Sequence, residues 1–155
     1  MNLDPKTDLT FTRTINAPVS LLWECWTTPK HIKNFFVPKP HSVDDCEIDL
    51  RVGGRFNTVM NVDGNQMVNE GVYLEVEEGK RLVFTDTYSE DWKPAADPFM
   101  TAIIEFEDDG NGGTTYTATA RHRTSDARQT HEEMGFFDGW GTVATQLEEY
   151  AKTLE

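Results

Sequence analysis

Apolar side chains near the C-terminus recur at alternating steps of four and three residues. The series consists of Phe136, Trp140, Val143, Leu147, Tyr150 and Leu154. This spacing places all six on one face of a helix, and Glu148, Glu149 and Lys152 fall outside that face. The pattern predicts a long amphipathic helix over residues 126–153, whose aromatic face must be covered by a wide neighbouring surface.

The N-terminal part predicts a strand followed by two short helices. Residues 9–15 alternate and are rich in β-branched side chains, which is typical of a strand. Pro18 suits the first position of a helix, and Val19, Leu22, Trp23 and Trp26 then follow at helical spacing. Pro29 interrupts this pattern and begins a second short helix over residues 29–36.

From residue 43 onward the apolar pattern changes to a period of two. Strands are predicted over residues 43–52, 55–62, 68–76, 82–88, 99–106 and 114–123. Asp63-Gly64 and Glu78-Gly79 mark tight turns, and residues 89–98 form a longer connection. Successive strands joined by tight turns indicate an antiparallel sheet, so the long helix should lie across its apolar face.

The charge balance narrows the classes of partner. The chain of 155 residues suits one domain, and 27 acidic against 14 basic residues give a net charge of −13. Such a surface repels phosphate backbones and anionic lipids, so we expect neither nucleic-acid nor membrane binding. Cys25 and Cys46 fit reduced, buried positions in a cytoplasmic protein. No apolar run is long enough to span a membrane, and no residue spacing indicates a metal site or cofactor.

Several short motifs occur in an order and spacing that resemble a known family. They are Ile15-Asn16-Ala17-Pro18, Leu22-Trp23, Thr28-Pro29, the segments 49–56, 71–76 and 81–85, and Gly139-Trp140-Gly141 with Leu147 and Leu154. Together they resemble the AHSA1-like branch of the START/Bet v1-like superfamily, also called SRPBCC or polyketide cyclase, named for the activator of the Hsp90 ATPase. The resemblance covers residues 9–154.

The resemblance implies an α+β helix-grip fold in a single START/Bet v1-like domain. A curved antiparallel sheet of about six to seven strands would wrap round the long C-terminal helix, with two short helices after the first strand. The implied function is binding of a small hydrophobic or amphipathic molecule, such as a lipid, polyketide or aromatic metabolite, between sheet and helix. A cyclase- or hydrolase-type enzyme and a protein-interaction module, with a chaperone or a second copy as partner, stay open as alternatives.

Two polar residues are candidates for chemistry. His122 shares a face with Tyr116, Ala118 and Ala120, so it should point toward the pocket mouth, where it would orient a ligand or act as acid or base. The alternative is a structural histidine hydrogen-bonded to the start of the helix. His131 would approach His122, but a pair of histidines does not make a metal site. Asp86 would be a costly inward carboxylate, so it marks either a functional acid or a break in the alternation.

The predicted pocket lining is mostly aromatic. It consists of Phe56, Met60, Phe84, Tyr88, Trp92, Phe99, Ala120, His122, Met134, Phe137 and Trp140. A solid core without a cavity is the alternative. Gly135, Gly139 and Gly141 favour close approach of a neighbouring element or, alternatively, a kink in the helix. Thr130 and Glu133 fit a capping box that would start the regular helix later.

Overall fold

The computed structural model describes residues 2–155 and shows an α+β architecture. The helices among these residues are α1 (Val19–Thr27), α2 (Pro29–Ile32), α3 (Ser125–Glu133) and α4 (Phe136–Thr153). The ten strands within residues 2–155 are β1 (Asp8–Ile15), β2 (Ser42–Ile48), β3 (Phe56–Val62), β4 (Asn65–Asn69), β5 (Val72–Glu77), β6 (Arg81–Thr85), β7 (Tyr88–Ser89), β8 (Lys93–Pro94), β9 (Thr101–Asp108) and β10 (Thr114–Arg121). The antiparallel sheet, the two short helices after the first strand and the C-terminal helix agree with the sequence prediction.

Two larger sheets make up the curved surface that faces α4. One has the order β1-β10-β9-β6-β5, and the other has the order β2-β3-β4. Backbone hydrogen bonds join them, because the Phe56 amide donates to the Gly71 carbonyl (2.9 Å) and the Tyr73 amide donates to the Gly54 carbonyl (3.0 Å). The strand count exceeds the predicted six to seven, since β4 and β5 were predicted as one strand over residues 68–76 and the short β7–β8 pair lies in the predicted connection.

Gly71 lies where the two sheets meet, and its lack of a side chain is what allows their approach. A Cβ atom at this position would lie 2.5 Å from the Thr85 carbonyl oxygen. No side chain fits so close to backbone, so the chain can cross from β4 to β5 here only with glycine.

The apolar face of α4 packs across the inner face of the sheet, as the periodicity predicts. Phe136, Val143 and Leu147 are fully buried, and Trp140, Tyr150 and Leu154 are partly buried against the same core. Gln146 is the buried polar side chain of this helix. Its amide donates to the carbonyls of Phe35 (3.0 Å) and Val37 (2.8 Å) and accepts from the Lys39 amide (2.9 Å). The segment after α2 is thereby tied to α4. None of the described helices is long and apolar enough to cross a membrane.

The predicted single helix over residues 126–153 is wrong in one respect, because it breaks into α3 and α4 at Gly135. Gly135 has φ +95°, a left-handed conformation that ends α3 and re-aims the chain. Thr124 caps the start of α3, because its hydroxyl accepts from the Ala127 amide (3.1 Å), so the capping box predicted at Thr130 is also wrong. A Cβ at Gly135, Gly139 or Gly141 would meet no atom within 4 Å. The predicted close approach of a neighbouring element at these glycines is therefore wrong.

Replacement of Gly71 and of Gly141 by alanine should change the free energy of unfolding in opposite directions. Gly141→Ala should raise the free energy of unfolding by about 1 kcal/mol, because the helix interior gains propensity and the new methyl meets no atom. Gly71→Ala should lower it by more than about 2 kcal/mol, because its methyl collides with the Thr85 carbonyl. Urea titration followed by circular dichroism measures both values. Equal effects of the two substitutions would contradict the assignment of Gly71 to a close approach.

Candidate ligand-binding site

Five aromatic side chains meet in the interior between α1 and the sheet, and we call them the aromatic cluster: Trp26, Phe56, Tyr73, Phe84 and Tyr116. The Phe56 ring lies 4.7 Å from that of Phe84, edge to face, and 5.5 Å from that of Tyr73, stacked. The ring of Trp26 lies 6.0 Å from that of Phe84. These spacings are those of favourable aromatic pairs, so the cluster is a packed wall.

Three polar atoms of this cluster are buried without a hydrogen-bond partner among the described residues. They are Nε1 of Trp26 and the hydroxyl oxygens of Tyr73 and Tyr116. Their residues expose 1% or less of their surface. The indole of Trp26 faces the Tyr116 hydroxyl closely enough to oppose part of the rise in the pKa of Tyr116, yet the two atoms do not reach hydrogen-bonding geometry. An unpaired buried polar group costs about 1–3 kcal/mol, so three such groups together need an explanation.

The interior around these atoms disfavours charge. Burial raises the pKa of the Tyr73 and Tyr116 hydroxyls above their ordinary value, and Cys46 adds to the effect at Tyr73. Burial also raises the pKa of the Cys46 thiol to about 12. Since the charged form of every one of these groups is disfavoured, a molecule bound here is expected to be neutral.

The structure divides the residues that the sequence predicts as pocket lining into three groups. Phe56, Met60 and Phe84 lie in or against the main core with the aromatic cluster. Ala120 and Trp140 belong with a smaller core cluster that contains Leu9 and Phe136. Five others have large exposed surfaces, namely Tyr88 (36%), Trp92 (51%), Phe99 (36%), Met134 (70%) and Phe137 (47%). His122 stands apart from these three groups and is buried beside His131.

His122 and His131 form a buried pair that links the end of β10 to α3. Nδ1 of His122 lies 2.8 Å from the Thr7 carbonyl oxygen, and Nε2 of His122 lies 2.8 Å from Nδ1 of His131. Phe99 and Phe136 pack against the His131 ring at centroid distances of 4.6 and 5.2 Å. Both ring nitrogens of His122 therefore have partners within the protein, although neither partner lies at the start of a helix.

The carbonyl fixes the direction of the hydrogen bonds in this pair. Because the Thr7 oxygen only accepts, Nδ1 of His122 carries the proton, and Nε2 of a neutral His122 then accepts from Nδ1–H of His131. Burial lowers the pKa of His131 from 6.5 to about 4, with a smaller contribution from His122. Nε2 of His131 is thus the one nitrogen of the pair that has no partner among residues 2–155.

Asp86 lies just beyond β6, where the alternation of inward and outward side chains has ended. Its carboxylate accepts from the backbone amides of Phe99 (2.8 Å) and Met100 (3.1 Å). These bonds anchor the segment that leads into β9. The side chain therefore holds a loop in place, and the structure does not bring it to His122.

Two open cavities lie away from the aromatic cluster. One of about 190 Å³ is lined by Thr87, residues 98–101 and residues 121–123, next to His122. The other, of about 640 Å³, runs from Val19 along a charged surface, where Arg81 is paired with Glu75 (3.1 Å) and Glu105 (3.2 Å). Neither is lined by α4. Among the described residues, no group of three or more His, Cys, Asp or Glu side chains is arranged to hold a metal ion.

Sequence reasoning did not assign Trp26, Tyr73 and Tyr116 to the site. The available signal was residue type, since an indole or phenol at an inward position carries an N–H or O–H that needs a partner. Trp26 lies on the apolar face of the first helix, and Tyr116 alternates inward in β10 with Ala118 and Ala120. Periodicity places these rings inside but does not say whether the polar atoms meet partners there.

Comparison with known proteins identifies one family and several solved structures that resemble this chain. The sequence model of the family described as "Activator of Hsp90 ATPase homolog 1-like protein" matches residues 16–152. A solved structure from Nitrosomonas europaea is similar with 46% identity, 98% coverage of both chains and a TM-score of 0.95. One from Mycobacterium smegmatis has 27% identity, coverage of 93% of this chain and 90% of that chain, and a TM-score of 0.78.

An AHSA1-like protein from Aeromonas hydrophila, at 20% identity, shares the fold with a TM-score of 0.67 and covers 94% of each chain. No curated protein matches the sequence.

The histidine pair predicts a specific dependence of stability on pH. The folded-state pKa of His131 is depressed, so the unfolded chain binds more protons between about pH 6.5 and pH 4. Stability should therefore be lost as the pH falls through this window, and less of it should be lost in His131→Gln, whose amide can donate to His122 but does not titrate there. Melting temperatures of both proteins between pH 8 and pH 4, each buffered at constant ionic strength (about 0.15 M), give the comparison.

The matched control is His41→Gln, because the His41 side chain is 29% exposed and lies outside this pair. The pH profile should differ from that of the unmodified protein more in His131→Gln than in His41→Gln. A profile of His131→Gln that runs parallel to that of the unmodified protein would show that His131 does not titrate abnormally.

Proposed function

Since the chain belongs to the Activator of Hsp90 ATPase homolog 1-like family, we propose that it binds a small, neutral, planar molecule among the residues of the aromatic cluster. The observation that carries this proposal is the set of three buried polar atoms without partners on Trp26, Tyr73 and Tyr116. A ligand that supplies hydrogen-bond acceptors to these atoms would remove their desolvation penalty. Planar rings would stack with the surrounding aromatic side chains.

The donor set favours a carbonyl-bearing ligand. An indole N–H only donates, so the group that meets Trp26 has to be an acceptor, and the adjacent Tyr116 hydroxyl can donate to the same oxygen. The raised pKa values of the buried hydroxyls show that this interior disfavours charge, which argues against a carboxylate or phosphate. A neutral aromatic ketone fits these constraints within the broader class of small apolar or amphipathic molecules.

Phe36 supplies a route into the cluster. Its ring is partly buried, and it lies 5.6 Å from the rings of both Trp26 and Phe56. The residues that follow it are held to α4 by Gln146. Movement of Phe36 would therefore open a path to Trp26 while the segment behind it stays fixed to the helix.

The proposal predicts a separation of binding from stability in Tyr116→Phe. Removal of the unpaired hydroxyl should leave the melting temperature unchanged or slightly higher, because no bond is lost and a desolvated group is removed. The affinity for Prodan, a neutral naphthalene with one ketone, should fall about tenfold, which corresponds to about 1.4 kcal/mol. Prodan fluorescence titration measures the affinity, and thermal denaturation without ligand measures the stability.

Two controls make the result specific. Tyr150→Phe removes a hydroxyl that is bonded to Nδ1 of His31 (2.6 Å), so it should lower stability and leave Prodan affinity unchanged. 2-Propylnaphthalene has no ketone, so competition by this compound should be insensitive to Tyr116→Phe. The absence of saturable Prodan binding by the unmodified protein, or an unchanged affinity in Tyr116→Phe, would count against the proposal.

A further inference from the structure

Strand β4 is an edge that the fold leaves open. It pairs only with β3 in its sheet, and its side chains from Asn65 to Val68 are all exposed, including Met67 (47%) and Val68 (65%). An exposed, apolar strand edge is a template for pairing with another strand, and proteins usually protect such edges with charges or a covering element.

The other edge strands of the two larger sheets, β1, β2 and β5, all carry charged side chains. β2, at the far side of the same sheet, carries Asp44, Asp45 and Glu47 and is contacted by α2. β1 is also contacted by α3 and α4. In contrast, Asp63 is the only charged residue between Phe56 and Asn69, in a chain with 27 acidic and 14 basic residues.

The turn before β4 determines which backbone groups are available for pairing. Asp63 (φ 54°) and Gly64 (φ 81°) form a two-residue hairpin turn with both residues left-handed, and Val62 is opposite Asn65 across it. The residues that flank such a turn form a hydrogen-bonded pair, so Asn65, Met67 and Asn69 direct their backbone groups toward β3. Gln66 and Val68 consequently direct theirs to the open edge.

We propose that β4 pairs with β4 of a second copy of this chain, antiparallel and centred on Met67. In this register Gln66 of each copy is hydrogen-bonded to Val68 of the other, and the two Met67 residues face one another as a non-hydrogen-bonded pair. The strand is its own complement in this arrangement, as a two-fold dimer requires. The β2-β3-β4 sheets of both copies then join into one six-stranded sheet.

The charge distribution favours this edge as the place where a second copy docks. Each chain carries −13, so two copies repel one another over most of their surface. Strands β3 and β4 carry no charged side chain, so that repulsion is weakest beside them. Added salt screens the remaining repulsion, so this dimer should become tighter as the ionic strength rises, which is the reverse of an association held by salt bridges.

Sedimentation equilibrium of the full chain tests the association. We expect a monomer–dimer equilibrium whose dissociation constant decreases between about 0.05 and 0.5 M NaCl. Val68→Lys should raise that constant by at least about tenfold, because an exposed edge lysine opposes strand pairing. Val52→Lys is the matched control, since Val52 is also exposed (57%) and lies outside β4; it should leave the constant unchanged.

Disulfide trapping tests the register. Met67→Cys should give a covalent dimer under mild oxidation, because residues in a non-hydrogen-bonded pair lie at a spacing that a disulfide can bridge. Val68→Cys should not, since Val68 is opposite Gln66 of the other copy. Cys25 and Cys46 are buried and do not compete. A monomer at about 1 mM in high salt, a dimer unaffected by Val68→Lys, or equal trapping of both cysteine variants would overturn the proposal.

Discussion

Burial of the apolar face of α4 is the constraint on which the rest of the structure depends. A helix with Phe136, Val143 and Leu147 on one face is not stable in water, and only a curved sheet is wide enough to cover that face. Gly71 permits the two sheets to meet and so to form that surface. Gln146 then ties the segment after α2 to α4, because its amide satisfies the carbonyls of Phe35 and Val37 and the amide of Lys39.

The aromatic cluster, in contrast, contains buried polar atoms that have no hydrogen-bond partner. A phenylalanine at the position of Tyr73 or Tyr116 would keep the ring packing and avoid a desolvated hydroxyl, so stability alone favours phenylalanine there. The Tyr150 hydroxyl, in contrast, has a partner in His31. Three unpaired polar atoms in one aromatic cluster are the arrangement expected of a site whose partner comes from outside the chain.

The sequence predicts those features of the fold that depend on periodicity. The apolar series of α4, the strand alternation and the Asp63-Gly64 turn are all predictable from the sequence, because each reflects local geometry. The break at Gly135 was not, since an apolar series continues through Met134 and Phe136 although the backbone turns left-handed between them. His122 was correctly placed at the end of its strand, but the occupation of both its nitrogens depends on Thr7 and His131, which are distant in sequence. Whether the hydroxyls of Tyr73 and Tyr116 find hydrogen-bond partners likewise depends on packing between segments distant in sequence.

β3 connects the interior with the open edge. Phe56, at its first position, belongs to the aromatic cluster, and Met60, further along, is opposite Met67 of β4. A strand added beside β4 would restrict the movement of β3 and therefore of the wall that Phe56 provides. If ligand binding requires that wall to shift, dimerisation would oppose it, and if binding requires the wall to be ordered, dimerisation would favour it. Linkage makes either effect reciprocal, so the sign of the change in dimer affinity caused by a ligand would show whether binding requires this wall to shift or to be ordered.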